Sequence, residues 1–297
     1  MKKLLADSGS TKTDWTLMDE NGRVISTCKT QGINPFHLQD EDILHILVQD
    51  LVLPDIPQEV HFYGSGVTDA MKPRMSMLLQ KAFCNARVNA ESDMVGAARA
   101  LLGKQAGIAC ILGTGANSCL YNGEKIVMNT PPLGYILGDE GSGAVLGKTF
   151  LNGILKGLLP VSLKEKYMEW SALDYPAIIN KVYRQPLANR FLASIAPFIS
   201  SRLEGMDAYE SGNEEKEEAM ALYDMVQGCF SRFYDNNIAS YVKYMEAESS
   251  DVPSIGFVGS IAWHFQTPLR EVFEKKHHLA VSKILQSPMQ GLIEYHS

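Results

Sequence analysis

Residues suited to phosphate chemistry occur in two stretches. In the first, Leu4-Leu5-Ala6 runs into Asp7-Ser8-Gly9-Ser10-Thr11-Lys12-Thr13-Asp14. Small residues let a turn tighten and bring backbone amides up to an anion, and the hydroxyls add donors. Lys12 adds a long, flexible cation. Asp7 cannot meet a phosphate without a cation between them, so its expected partner is Mg²⁺. The string is not a P-loop, because no G-x-x-x-x-G-K-[ST] leads into a helix. Taken alone it reads equally as a β-turn with Gly9 at its tip. The second stretch decides for phosphate: Ile108-Ala109-Cys110-Ile111-Leu112 runs into Gly113-Thr114-Gly115-Ala116-Asn117-Ser118 and returns through Cys119-Leu120-Tyr121. A further carboxylate, Asp93, follows Val88-Asn89-Ala90-Glu91-Ser92 and precedes a strongly helical run.

The elements that must hold these residues follow from periodicity. Each short apolar run reads as a buried strand, and the alternation after each turn reads as its return. Glu20-Asn21-Gly22-Arg23 and Asn122-Gly123 read as two-residue hairpins. Strand, hydroxyl-rich turn, strand and hairpin thus occur twice, which predicts an internally duplicated α/β fold. Further strands are expected at 24–27, 60–63 and 254–258, and helices at 40–52, 69–83, 94–101 and 144–155. Residues 131–143 read as a glycine-punctuated loop, residues 163–246 as mainly helical, and residues 287–293 as a final helix start or loop. The run Glu214-Glu215-Lys216-Glu217-Glu218 reads as a solvated helix face, and Trp263 and His264 as packing residues. Asp93 falls at a strand-to-helix junction, where the helix N-terminus favours its ionised form. Its alternative role there is helix N-cap.

Composition bounds the rest. The chain has 297 residues, 45% hydrophobic and 21% charged, with a net charge of −7. Two domains with sizeable cores are expected, and the negative charge argues against nucleic acid or an anionic membrane as partner. The first thirty residues do not resemble a signal peptide, and no apolar run reaches a membrane span. The five cysteines are scattered without C-x-x-C spacing, as expected of reduced, mostly buried thiols in a cytoplasmic protein.

Together these motifs resemble the actin-like ATPase and sugar-kinase superfamily, and within it the BadF/BadG and N-acetylglucosamine kinase branch. The family's first phosphate motif resembles residues 7–14, its sugar-loop asparagine Asn34, its catalytic aspartate motif Ser92-Asp93 and its second phosphate motif residues 112–118. Gly138-Asp139-Glu140-Gly141-Ser142 matches its G-D-E-G-S string, and Val258-Gly259-Ser260 its adenosine motif, all in the family's order. The resemblance implies a duplicated ribonuclease H-like fold. Its first domain would take residues 1–108 plus about 286–297, its second 109–285, with ATP and substrate meeting between them. It implies that Gly9, Ser10, Thr11 and Lys12 hold phosphates from one side, Gly113, Thr114 and Gly115 from the other, and that Gly259 and Ser260 meet the adenosine. Asp7 would hold Mg²⁺. Asn34, Asp93, Asn117 and Asp139 would contact a small-molecule sugar, with Asp93 as catalytic base. A homodimer is expected on the same ground. The chain departs from the family where Ser260 replaces the second glycine of the adenosine motif, and it lacks the cysteine-rich zinc loop of a sister branch.

The activity implied is ATP-dependent phosphorylation of an amino sugar, N-acetylglucosamine at its 6-hydroxyl. Other members of the branch are ATPases that activate a dehydratase or reductase through an iron–sulfur cluster, and a non-catalytic sugar sensor is a third reading. The cysteines here lack the glycine-rich contexts those activators use. Asn34, before Pro35, is also a good turn former, and Asp139 could cap the helix after it. The part played by Glu140 stays open.

Overall fold

The computed structural model describes residues 1–9, 11–204, 213–248 and 254–297; Ser10 lies outside the described residues. In chain order the elements are β1 (Lys3–Ser8), β2 (Lys12–Met18), β3 (Val24–Gln31), α1 (Asp40–His45, continued by a π turn), β4 (Glu59–Gly64), α2 (Lys72–Ala82), β5 (Arg87–Ser92) and α3 (Asp93–Leu102). Then come β6 (Ala106–Leu112), β7 (Ala116–Asn122), β8 (Ile126–Asn129), α4 (Gly134–Leu137), α5 (Gly143–Lys156), α6 (Val161–Ser171), α7 (Tyr175–Tyr183), α8 (Ala188–Ala193) and α9 (Ala196–Leu203). The chain ends with α10 (Glu214–Phe233), a π turn (Tyr234–Ile238), α11 (Ala239–Ala247), β9 (Ile255–Val258), α12 (Ser260–His264), α13 (Gln266–Arg270), β10 (Val281–Leu285) and α14 (Met289–His296). Two compact units result. One comprises Met1–Ala109, Cys119–Val127 and Ser287–Ser297; the other comprises Cys110–Ser118 and Met128–Gln286. No single helix among the described residues is long and apolar enough to cross a membrane.

In the first unit a five-stranded sheet runs in the order β3-β2-β1-β4-β5, with β1 antiparallel to β2 and parallel to β4. Alternation sorts its faces: Leu4, Ala6, Trp15, Leu17 and Phe62 share a buried core with Ile43, Met75 and Leu79 of α1 and α2. The opposite face carries Asp7, Asp14 and Tyr63, and α3 and α14 pack there. The hairpin after β2 differs from the two-residue turn the Asn-Gly pair predicts. Asp19 spans it instead, its Oδ1 accepting from the amides of Asn21 and Arg23, both at 2.9 Å. Asn122 does the same after β7, accepting from Glu124 and Lys125. An Asx side chain that closes the turn removes the need for a tight I′ geometry.

The second five-stranded sheet runs β10-β9-β6-β7-β8. Its outer strand β10 is absent from the sequence reading: Ser282 and Lys283 interrupt the apolar pattern of so short a segment. Helices fill 143–203 and 214–247 as the periodicity predicts, and α4 adds one turn inside the expected loop. Two readings are corrected here. Glu218 is not solvated; it is 2% exposed and pairs with Lys166 at 2.8 Å, because the acidic run winds round α10 and turns one carboxylate inward. Trp263 and His264 are exposed and do not pack in a core, since α12 buries Ile261 and Ala262 instead.

Candidate active site

The first unit gathers its acids at one edge of the sheet. Ser8 pairs with Gly64, and Gly64 with Ser92, so Asp7 and Asp93 stand at the same ends of β1 and β5, two strands apart. Such strand ends are where open α/β sheets carry ligands. Asp7 lies directly opposite Asp14 across the β1–β2 ladder. Like charges so placed repel, and Lys12 at 2.6 Å and Lys29 at 3.4 Å both pair with Asp14. Asp7 receives less relief. Burial, then Asp14 and Asp93, push its carboxyl up to about 7, with Lys12 opposing. The turn itself closes through the Gly9 amide on the Lys12 carbonyl at 3.0 Å, and Thr11 and Lys12 are exposed on it.

A buried hydroxyl pair that sequence reading passed over ties this turn to the next loop. Ser8 Oγ lies 2.7 Å from Thr13 Oγ1 and accepts from the Ile33 amide at 3.0 Å. Thr13 in turn donates to the Gln31 carbonyl at 3.1 Å. Among so many hydroxyls in the string, nothing in the sequence distinguishes these two. Asn34 follows directly. Its Oδ1 accepts from the Phe36 amide at 2.9 Å, so it forms the turn, and no partner of its Nδ2 is found among the described residues. Gly66, with φ +82°, leaves room for it: a Cβ there would meet Asn34 Oδ1 at 2.3 Å.

Asp93 is not the cap of α3. Ser92 is, its Oγ accepting from the Val95 amide at 3.3 Å, while Asp93 is the first helical residue and takes the Met94 amide at 2.8 Å. The expectation that the helix end favours the ionised form is also corrected. Burial raises the Asp93 carboxyl above the usual carboxylate range, outweighing the amide bonds that lower it.

In the second unit the turn after β6 is held from behind by α5. Gly143 and Ala144, at the start of that helix, donate to the carbonyls of Gly113 and Thr114 at 2.8 and 3.2 Å. Ser142 caps α5 through the Val145 amide, which removes the capping role considered for Asp139. Asp139 instead has φ +56° and packs against Gly115, where a Cβ would meet its Oδ2 at 2.9 Å. Burial raises its carboxyl, against the backbone amides of Ala116 and Gly134. Asn117 accepts at Oδ1 from its neighbour Ser118 and from Asn129, both at 2.9 Å. Glu140 accepts from Asn236 at 2.7 Å and Asn237 at 3.4 Å, partners that sequence reading missed. Gly259 has φ +124°, and a Cβ there would meet the Leu112 carbonyl at 2.3 Å, so the fold itself requires this glycine. Ser260 is exposed at the start of α12.

The other motif glycines behave differently. Gly9 and Gly113 have no positive φ; a Cβ at Gly9 would make only an ordinary 3.8 Å contact and one at Gly113 none within 4 Å. The fold does not demand glycine at either position. For a metal, no three His, Cys, Asp or Glu side chains among the described residues form a cage. Asp7, a half-buried carboxyl crowded by Asp14 and Asp93, nevertheless fits a Mg²⁺ that takes most of its ligands from water and phosphate.

No family model and no curated protein matches the chain. Solved structures do. A provisionally assigned N-acetylglucosamine kinase of Porphyromonas gingivalis is 42% identical, covering 99% of this chain and 98% of its own, with a TM-score of 0.86. A second such provisional assignment, from Chromobacterium violaceum, shares the fold at 19% identity over 100% and 99% of the two chains, TM-score 0.68. A ROK family glucokinase from Streptomyces griseus, solved with glucose and AMPPNP, shares it at 15% identity over 100% and 98%, TM-score 0.54. Two five-stranded sheets, acids at the strand ends and glycine turns that the fold leaves free accompany identity along nearly the whole chain; the protein belongs to the family of the Porphyromonas gingivalis chain and is an ATP-dependent sugar kinase.

Proposed function

We propose that the protein transfers the γ-phosphoryl group of ATP to the 6-hydroxyl of an amino sugar, N-acetylglucosamine, as a cytoplasmic member of the BadF/BadG branch. The observation that carries this is the pair Asp7 and Asp93 at one sheet edge, each carboxyl raised by burial. Phosphoryl transfer needs an aligned nucleophile and charge compensation more than covalent help. Asp93, held at Oδ1 by the Met94 amide, has Oδ2 to accept the sugar hydroxyl's proton as the oxygen attacks. In its ionised form, a carboxylate whose pKa is raised is the stronger proton acceptor. Lys12 exchanges Asp14 for a phosphate oxygen, and amides of Gly9, Thr11, Gly113, Thr114 and Gly115 meet the phosphates. Ser260 and Gly259 lie at the adenosine end. Asn34 through its Nδ2, together with Asn117 and the Asp139 carboxylate, orients the sugar. Mg²⁺, held through Asp7, supplies neutralisation of phosphate charge. A homodimer rests on the resemblance and is required by none of these steps.

The buried Cys119 thiol, pushed up to about 12, does not favour the iron–sulfur activator reading, which needs thiolate ligands. The test is ADP release over a panel of N-acetylglucosamine, N-acetylmannosamine, glucosamine and glucose. The highest kcat/KM is expected with N-acetylglucosamine; ADP release independent of every sugar would contradict the proposal.

A further inference from the structure

We infer that Glu140 is a positioning residue for the sugar site, acting through Asp139 by way of the π turn at Tyr234–Ile238. This deepens the proposed function and rests on its reading of Asp139 as a sugar contact.

Asp139 holds a left-handed backbone, φ +56°, although it is not glycine. A residue keeps such a conformation only where its surroundings over-determine it. On one side the ties are evident: the carboxylate packs against Gly115, where a Cβ would meet Oδ2 at 2.9 Å, and the Ser142 amide donates to the Asp139 carbonyl at 3.0 Å. On the other side, Glu140 spends both carboxylate oxygens on two consecutive side-chain amides, Asn236 at 2.7 Å and Asn237 at 3.4 Å. Bonds to an ionised acceptor are the stronger kind. The two asparagines lie in a widened helical turn, an irregularity often found at functional positions.

That turn is fixed in its own right. Thr130 Oγ1 donates to the Asn237 carbonyl at 3.0 Å, and the Thr130 amide donates to the Tyr241 hydroxyl at 2.6 Å. Tyr241 lies 3.1 Å from Ser118 Oγ, next to Asn117. Asn129, one residue before Thr130, donates to Asn117 Oδ1. Asp139 and Asn117, the two proposed sugar contacts of this unit, are therefore linked to the same turn, and Glu140 is the link on the Asp139 side. Glu140 touches no reacting atom in this scheme. It sets where the Asp139 carboxylate stands.

Glu140→Gln tests this with nearly unchanged volume, because one acceptor oxygen becomes a donor facing an asparagine that also donates. The sugar KM should rise on the order of tenfold, with kcat and the KM for ATP within about twofold. In an Asp139→Asn background the same change should add little, since both act on one contact. Combining Glu140→Gln with Asn236→Asp reverses donor and acceptor and should recover most of the sugar KM. Asn236→Ala, at an exposed position, guards against misfolding of the first variant and should raise the sugar KM in the same direction. Full additivity of Glu140→Gln with Asp139→Asn, or an unchanged sugar KM in both Glu140→Gln and Asn236→Ala, would overturn the inference. A wild-type protein with no sugar-dependent turnover would instead bring down the functional reading beneath it.

Discussion

Burial lifts the Asp93 carboxyl, whose Oδ1 accepts from the Met94 amide at 2.8 Å. Because Ser92 is the cap of α3 and burial disfavours the ionised Asp93 carboxylate, Asp93→Asn should not lower the unfolding midpoint at neutral pH. Turnover should fall by about a hundredfold or more, measured as steady-state kcat with sugar and nucleotide affinity checked by calorimetry; near-normal turnover would reduce Asp93 to a structural acid. Asp7 gives a prediction of opposite character. Its folded pKa, about 7, lies above the ordinary value of 3.8, so its contribution to stability is full below pH 4 and is lost as pH rises through 7. Without metal or nucleotide, Asp7→Asn should therefore be the more stable protein at pH 8, by about 2 to 4 kcal/mol, and the difference should vanish near pH 4. The same variant should lose Mg²⁺-dependent turnover. Urea unfolding of both proteins across that range decides the first part, and equal stability at pH 8 would show that the Asp7–Asp14 repulsion is relieved some other way. Gly9 and Gly113 supply a third test at this scale: changing either to Val should hold the unfolding midpoint and weaken ATP binding, whereas a loss of stability would assign them to the fold.

At the scale of elements, α3 is the helix that matters most, because it begins with Asp93, and it is fixed from both sides. Gly96 lets it sit on Tyr63 of β4, where a Cβ would come within 2.9 Å. Gly291 lets α14 sit on α3, where a Cβ would meet the Ala100 carbonyl at 2.2 Å. The end of α14 is locked by His296, whose Nε2 lies 2.8 Å from the Tyr63 hydroxyl, and Arg99 donates to the same hydroxyl at 2.9 Å. Gly291→Val should cost about 1–3 kcal/mol by overpacking and lower kcat as α3 shifts; thermal unfolding beside kinetics would show it, and no change in either would separate α14 from the site. Burial, with His61, Arg99 and Lys3 adding, lowers His296 to about 3. The stability it contributes is thus present above pH 6.5 and lost as pH falls toward 3, opposite in sign to the Asp7 contribution. The sequence announces these elements unevenly. Both glycine-bearing turns are legible because each interrupts a pure apolar run with small residues. Asp93 is legible because it sits between a strand and an alanine-rich helix. The Asp19 and Asn122 loops, β10 and the π turn bearing Asn236 and Asn237 are not, since each depends on which partner a polar side chain finds after folding.

For the molecule as a whole, duplication is the feature that both sequence and structure carry: two five-stranded sheets, each with a glycine-bearing turn between two neighbouring strands. What the order of motifs cannot convey is which of its residues the fold already needs. Gly259 is required by its backbone conformation and a close carbonyl, and Ser142 rather than Asp139 caps α5, so those members of the motifs have structural explanations. Gly9, Gly113, Asp7 and Asp93 do not, and they are the ones on which phosphoryl transfer would depend. The most direct measurement is therefore of the product. The purified protein, N-acetylglucosamine, ATP and Mg²⁺ would be followed by phosphorus–proton correlation spectroscopy. The account predicts a new phosphomonoester coupled to the two protons on carbon 6 of the sugar, absent with Asp93→Asn. A phosphate coupled to the anomeric proton, or inorganic phosphate released without any sugar ester, would contradict it.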